Sequence, residues 1–250
     1  MFNPVSMGTR RSEDLTVPDW SNAAGTIQPS LALGQHVVDR LRRMVITAAI
    51  PADTHLVEQQ LSDVFQVSRG PIRDALRQLE NEGLVETRRR GVFVVGLKPE
   101  DIEELYKLRQ VLEGEAVREC MVRGIPNEPS LEQPVAVMFT AAQAGDSVRF
   151  AEADLEFHSA FYALAGNRRL RNVWQQYRPT FADMLLLTNA DDDDLMAAHR
   201  DHLALLQLLE AGDAATAGML LTKHIDGARC RMLRSYEHHS KRNTAGISKT

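Results

Sequence analysis

The 250-residue sequence has few cysteines, few glycines and prolines for its length, and no long apolar run. Its two cysteines, Cys120 and Cys230, form no CxxC motif, so we expect no disulfide framework and a reducing, cytoplasmic setting. No stretch approaches the roughly 18 consecutive apolar residues of a membrane-spanning helix, so we expect no membrane partner. The first 30 residues lack the apolar segment of a secretory signal. The 15 glycines and 10 prolines exclude a collagen-like or linker-dominated chain.

What the sequence does contain is typical of globular protein, with 44% hydrophobic and 25% charged residues. The net charge of −5 does not by itself indicate a nucleic-acid partner, but the charge is distributed unevenly. Residues 33–96 contain nine arginines and eight acidic residues, whereas residues 99–239 contain 14 basic and 23 acidic residues. This asymmetry indicates two units with different partners.

Hydrophobic periodicity divides the chain into five segments. Residues 1–31 are polar and aperiodic, which predicts a disordered lead, and residues 238–250 are predicted to be a flexible tail. Residues 32–96 contain short helical patterns followed by two β-prone runs, and residues 97–99 are the candidate linker. Residues 100–237 show helical periodicity throughout. We therefore predict a mostly α-helical protein, with a small mixed domain followed by an all-helical antiparallel bundle.

The small domain has the element order of a winged helix-turn-helix. Ser68 is a candidate N-cap, Pro71 fits the first turn of the helix it begins, and Gly83 fits the end of that helix. Two β-prone runs then flank an arginine-rich turn, which predicts a hairpin. In a winged helix-turn-helix, the start of the third helix enters the major groove of DNA.

Two arginines mark the predicted groove-facing end of the third helix. Arg69 and Arg73 are four residues apart and share the face opposite its apolar residues. Arginine suits bidentate contact with guanine, and the turn at Arg88–Gly91 places further cations where a wing could reach phosphates. The alternative is that these arginines are a solvated helix face.

The helical block carries polar side chains on otherwise apolar faces. Asp154 and His158 lie one helical turn apart within an aromatic stripe. Two later helical segments flank Ala211–Asp213, and His202 and His224 face inward at similar depth on either side of that bend. Their convergence predicts a divalent metal site, whereas the alternatives are an ion pair and hydrogen-bonded core histidines. Spacing alone does not choose between His202 and His199.

The run LVEQQLSDVFQVSRGPIRDALRQLENEGLVETRRRGVFV resembles the DNA-binding domain of the GntR family of bacterial transcription regulators. The resemblance covers about residues 33–95 and implies a dimer bound to an inverted-repeat DNA operator. It places DNA contacts at the start of the third helix and at the wing tip, namely at Ser68, Arg69, Gly70, Pro71, Arg73, Arg89, Arg90 and Gly91. The family often has arginine after Glu58, where this chain has Gln59, so a DNA contact there is an open question.

The segments DLEFHSAFYALAGN and DHLALLQLLEAGD resemble the FCD effector domain of the FadR-type branch of the same family. This resemblance implies metal ligation by Asp154, His158, His202 and His224, because the family spacing before Ala211–Asp213 selects His202 over His199. The implied metal is zinc, with nickel or manganese as alternatives.

Arg109 is the remaining candidate, because it lies at the centre of an apolar helix face and a buried arginine needs an anion. That anion is either Glu113 or, as related domains imply, the carboxylate of a small organic acid effector beside the metal. The expected function is a ligand-responsive regulator. The alternatives are a constitutive DNA-binding protein with a structural metal and, least favoured, an enzyme, since HExxH, GxSxG and P-loop motifs are absent.

Overall fold

The computed structural model describes residues 31–124, 128–192 and 194–247. The predicted lead, 1–31, lies outside the described residues except for its last position. The predicted tail starts within the last helix, which continues to Ile247, and residues 248–250 lie outside the described part.

From residue 31 onward, where the description of the chain begins, the N-terminal domain has three helices and a small sheet: α1 (Leu31–Ile46), β1 (His55–Leu56), α2 (Glu58–Phe65), α3 (Arg69–Asn81), β2 (Val85–Arg88) and β3 (Gly91–Val94). The strands are antiparallel in the order β1-β3-β2. Ser68 is the N-cap residue of α3, although its hydroxyl makes no capping bond, and Pro71 lies in the first turn. The buried face of α3 is built from Ile72, Ala75, Leu76 and Leu79.

A buried ion pair joins α1 to the end of α3. The Arg42 guanidinium donates from Nε to Glu82 Oε2 at 2.6 Å and from a terminal nitrogen to Glu82 Oε1 at 2.9 Å. The two side chains are 1% and 3% exposed. Burial alone would lower the pKa of Arg42, but Glu82 and Asp39 raise it above its usual value. The guanidinium is therefore charged, and its remaining terminal nitrogen donates to Asp39 Oδ1 at 2.7 Å.

We expect Arg42→Ala to lower the free energy of unfolding by about 3–5 kcal/mol, because it leaves Glu82 buried without its partner. Urea unfolding followed by circular dichroism measures this change. Arg77→Ala is the matched control, since its 3.8 Å pair with Asp74 is more than 70% exposed and should contribute at most about 1 kcal/mol. A loss of less than about 1 kcal/mol for Arg42→Ala would contradict the assignment.

In the described part of the C-terminal domain, six helices form a bundle: α4 (Pro99–Arg123), α5 (Pro129–Ala144), α6 (Ser147–Leu164), α7 (Arg168–Ala190), α8 (Leu195–Glu210) and α9 (Ala214–Ile247). Helix α6 packs against α4, α5 and α7, and α9 packs against α4, α7 and α8. Buried aromatic rings fill the space between α6 and α7, where Tyr162 and Trp174 stack at 4.7 Å. The predicted fold class, a winged helix-turn-helix followed by a helical bundle, is confirmed.

The two domains meet through α1 and α7. Arg43 Nε on α1 donates to Asp183 Oδ1 on α7 at 2.9 Å, and Asp183 is buried. Because burial outweighs the influence of Arg43, the pKa of Asp183 is raised. Among the described helices, none is long and apolar enough to cross a membrane.

Candidate functional site

The start of α3 forms an exposed arginine surface. Arg69 and Arg73 are both exposed, as the sequence predicted, and each contacts a side chain of α2. Arg69 Nε donates to Gln59 Oε1 at 2.9 Å, and a terminal nitrogen of Arg69 donates to the same oxygen. Arg73 Nε lies 3.2 Å from Glu58 Oε2. Ser68 and Gly70 are exposed beside them and Pro71 is half-buried.

The wing tip lies between β2 and β3. Arg88 is committed to the hairpin, because it donates to Asp53 at 2.7 Å and to Glu86 at 2.6 Å and lies over the Phe93 ring. Arg89 and Arg90 occupy the turn itself and are exposed. Of the three consecutive arginines at positions 88–90, the hairpin therefore presents two at its tip, Arg89 and Arg90.

Gly91 closes this turn for steric reasons. Its φ of +130° is strained for residues with a side chain, and a Cβ at this position would overlap the His55 ring. The sequence analysis placed Gly91 among the DNA contacts, and the structure supplies a separate, local reason for a glycine there.

The four side chains predicted to hold a metal lie together in the bundle core. We name them the acceptor cluster: Asp154 and His158 on α6, His202 on α8 and His224 on α9. Their side chains are at most 7% exposed. One ring nitrogen from each histidine lies within 4.8 Å of the others. Asp154 Oδ1 lies 3.3 Å from His158 Nε2 and 3.6 Å from His202 Nε2, and these two nitrogens are 3.2 Å apart.

His199, the alternative to His202, lies outside the acceptor cluster. Its ring packs against Phe139 with the centroids 5.3 Å apart. Burial lowers its pKa, and its Nδ1 has no hydrogen-bond partner within the described part of the chain. His202 therefore belongs to the cluster, whereas His199, about one helical turn earlier on α8, does not.

Hydrogen bonding leaves the centre of the acceptor cluster without a donor. His202 Nδ1 donates to the Ala198 carbonyl at 2.7 Å, and His158 Nδ1 bonds to Glu113 Oε1. In the neutral rings these contacts place the lone pairs on the Nε2 atoms that face each other. Asp154 Oδ1 is buried and unpartnered among the described residues. With both rings neutral, three acceptor atoms thus converge, an arrangement that could hold a cation.

The pKa shifts favour neutral rings at His158 and His224 and a charged carboxylate at Asp154. Burial lowers the pKa of His158, and burial together with His202 lowers the pKa of His224 to about 3. Burial alone would raise the pKa of Asp154, but His202, His158 and Arg109 outweigh it and hold the pKa below its usual range. Neutral imidazole and carboxylate are the protonation states that ligate metals.

Glu113 is a site residue that the sequence analysis named only as a partner for Arg109. It is fully buried on α4, accepts from Arg109 Nε at 3.0 Å through Oε2, and contacts His158 through Oε1. Burial raises its pKa, but His158 and Arg109 outweigh this and hold it at about 2. The four-residue spacing between Arg109 and Glu113 allowed their ion pair to be predicted. No feature of the sequence indicated that Glu113 would contact His158 on α6.

Arg109 itself is 1% exposed beside the acceptor cluster, with its guanidinium 5.4 Å from the centre of the Phe181 ring. The pair with Glu113 is therefore present, and it uses Nε. Within the described residues, the buried Tyr106 hydroxyl has no hydrogen-bond partner. A surface cleft of about 300 Å³ between α4 and α9 reaches Tyr106 and Ile225. An unpartnered hydroxyl on α4 thus accompanies the unpartnered Asp154 oxygen of the cluster.

Comparison with protein families places both domains. Residues 33–95 match the family model of bacterial regulatory proteins, gntR family, and residues 104–227 match the FCD domain. The gluconate operon transcriptional repressor of Bacillus licheniformis is 29% identical over 71% of each chain. The HTH-type transcriptional repressor RspR of Escherichia coli is 23% identical, over 80% of this chain and 88% of that protein.

Solved structures share the architecture. A GntR regulator from Rhodococcus sp. RHA1 is 25% identical with a TM-score of 0.60, covering 80% of this chain and 97% of that one. E. coli McbR/YncC, at 18% identity, shares the fold with a TM-score of 0.65 over 83% of this chain and 100% of that chain. The family predicted from the sequence is confirmed: this chain belongs to the GntR family of bacterial transcriptional regulators and carries an FCD domain.

Proposed function

We propose that this regulator binds an inverted-repeat DNA operator as a homodimer, and that a small carboxylate effector bound beside a metal ion sets its DNA affinity. The observation that carries the effector half is the acceptor cluster, in which Asp154 Oδ1 and the Nε2 atoms of His158 and His202 converge without a donor. The DNA half depends on the arginines that α3 and the wing expose.

DNA binding uses the two arginine groups differently. Arg69 and Arg73 stand at the end of α3 that enters the major groove in this fold, where their planar donors suit guanine. Arg89 and Arg90 stand on a turn that suits phosphate or minor-groove contact, which strengthens binding to all sequences. Two such heads, related by the symmetry of a dimer, match the two halves of an inverted repeat.

We expect Arg90→Ala to weaken binding to operator and unrelated duplexes about equally, because a phosphate contact carries no sequence information. The slope of log K against log salt should flatten by about 0.9 for the one lost contact. Fluorescence anisotropy over a salt series measures both quantities. Arg118→Ala, in the helical domain, removes the same charge as a control. A loss confined to the operator would show that Arg90 reads bases instead.

The acceptor cluster fits a divalent metal. Two or three imidazoles with one carboxylate suit zinc or nickel, and manganese is the alternative with more oxygen ligands. Asp154, His158, His202 and His224 would hold the ion, which would supply positive charge for an effector carboxylate. Glu113 orients the His158 ring and the Ala198 carbonyl orients the His202 ring, so the ligands are held in place by their other nitrogens.

We expect Glu113→Gln to weaken zinc affinity about 10- to 100-fold, because it removes the negative charge that holds His158 Nδ1–H. Competition titration with a chromophoric chelator measures this affinity. Glu104→Gln is the control, since Glu104 is exposed on the same helix. Unchanged affinity in Glu113→Gln would show that the carboxylate serves Arg109 alone.

An anionic effector would use the donors on α4. The guanidinium of Arg109 and the hydroxyl of Tyr106 can donate to carboxylate oxygens, and Asp154 and the histidines would hold the ion. One relative is named for a gluconate operon, and gluconate is a carboxylate. Helix α7 connects this region to the DNA-binding domain, because Phe181 contacts Arg109 and Tyr106 while Asp183 pairs with Arg43 on α1. A coupling of about 1–3 kcal/mol through such contacts is typical.

The test is DNA affinity of the zinc-loaded protein against a panel of hydroxy and dicarboxylic acids, each first checked for binding by calorimetry. The operator is selected from a random duplex pool with the wild-type chain. We expect at least one acid that binds to change DNA affinity about 5- to 150-fold. Unchanged DNA affinity with every acid that binds would contradict the effector role. It would favour constitutive DNA binding with a structural metal.

A further inference from the structure

We propose that Gln59 is a positioning residue for Arg69, so that the base preference at the pair read by Arg69 depends on Gln59. This inference rests on the DNA binding proposed above.

The geometry fixes both ends of the Gln59 amide. Oε1 accepts from Nε of Arg69 at 2.9 Å and from a terminal nitrogen of Arg69. Nε2 donates to Asp63 Oδ1 at 2.8 Å. A flipped amide would place its NH₂ against the guanidinium and its carbonyl against the carboxylate, so the network permits one orientation. Asp63, Gln59 and Arg69 therefore form a chain from α2 to the start of α3.

The contact leaves free the donors that a guanine needs. Gln59 occupies the edge of the guanidinium formed by Nε and one terminal nitrogen, which leaves the end formed by the two terminal nitrogens. That end carries two N–H groups in one plane, the arrangement for bidentate contact with guanine O6 and N7. Arg69 can therefore present its two terminal nitrogens to a base while its Nε remains hydrogen-bonded to Gln59.

The partner is neutral, which distinguishes Arg69 from its neighbour. Arg73 lies against the Glu58 carboxylate at 3.2 Å, so its charge is partly compensated before DNA arrives. An amide oxygen orients Arg69 and leaves its charge intact for the DNA. An arginine at position 59 would repel Arg69 and could not hold it, whereas the amide oxygen of glutamine accepts from it.

The experiment measures base preference in the full-length protein. The wild type and Arg69→Ala are each used to select duplexes from a random pool, and the base pair whose preference disappears in Arg69→Ala is the one that Arg69 reads. We expect Gln59→Ala to lose about 5-fold or more of the preference at that same pair, the lower end of what a bidentate arginine–guanine contact contributes. The double variant should discriminate no worse than Arg69→Ala alone.

Gln35→Ala is the matched control. Gln35 donates to Asp39 four residues on at 2.9 Å, as Gln59 does to Asp63, but it lies on α1 and makes no contact with Arg69. It should leave every base preference unchanged, and the melting temperatures of both variants should match the wild type.

Three results would overturn the proposal. These are an unchanged preference at the Arg69 pair in Gln59→Ala, a changed preference at a different pair, or additive losses in the double variant. The last two would make Gln59 a direct reader of DNA. A wild type that selects no sequence would instead contradict the proposed function and this inference together.

Discussion

His202→Ala is expected to weaken zinc binding by at least about 100-fold, while His199→Ala leaves it unchanged. The two residues lie one turn apart on α8, but His202 Nε2 faces Asp154 and His158 whereas the His199 ring packs on Phe139. Loss of residues that merely orient a metal ligand costs about 10- to 100-fold in affinity, so loss of a ligand should cost more.

Thermal unfolding with and without zinc measures this difference. At zinc equal to 100 times the wild-type Kd, binding stabilises the wild type by about 2.7 kcal/mol, and a 100-fold weaker site leaves about 0.4 kcal/mol. His199→Ala is the matched control, because it removes another buried imidazole from the same helix. An equal loss of zinc stabilisation in both variants would contradict the placement of His202 as the ligand.

Arg69→Ala and Arg73→Ala are each expected to reduce operator selectivity by about 1–3 kcal/mol, or about 5- to 150-fold, through loss of the preference at the base pair that each arginine reads. Binding to unrelated duplexes should persist, because Arg89 and Arg90 on the wing remain. The Arg73–Glu58 pair is exposed and contributes at most about 1 kcal/mol, so it does not prevent Arg73 from reaching a base.

Arg69→Lys separates charge from geometry in this experiment. Lysine keeps the positive charge but lacks the planar fork of donors, so the salt dependence should stay near wild type while selectivity falls. Anisotropy titrations with operator and shuffled duplexes measure both. Full selectivity in Arg69→Ala would show that α3 does not read DNA through this residue.

Features within one helix could be predicted from the sequence. The 3.6-residue period places Asp154 above His158 and sets Arg69 and Arg73 on one exposed face. The bend at Gly212 returns the chain antiparallel, so His202 and His224 meet at similar depth. These arrangements follow from local geometry, which is why the acceptor cluster could be assembled from spacing and family resemblance.

Contacts between distant segments could not be predicted in the same way. Glu113 reaches His158 across 45 positions, and Arg43 reaches Asp183 across 140. Each depends on how two helices pack, which periodicity does not specify. Strand β1 was also not predicted, because its two residues carry no alternation and its partner, β3, lies far along the chain.

Elemental analysis combined with native mass spectrometry of the purified, full-length protein tests the central claim most directly. We expect one divalent ion per chain, removable by a chelator and restored by zinc, in an assembly of two chains. A chain that is isolated without metal and takes up none on titration would show that the converging oxygen and nitrogen atoms of the bundle core serve another purpose.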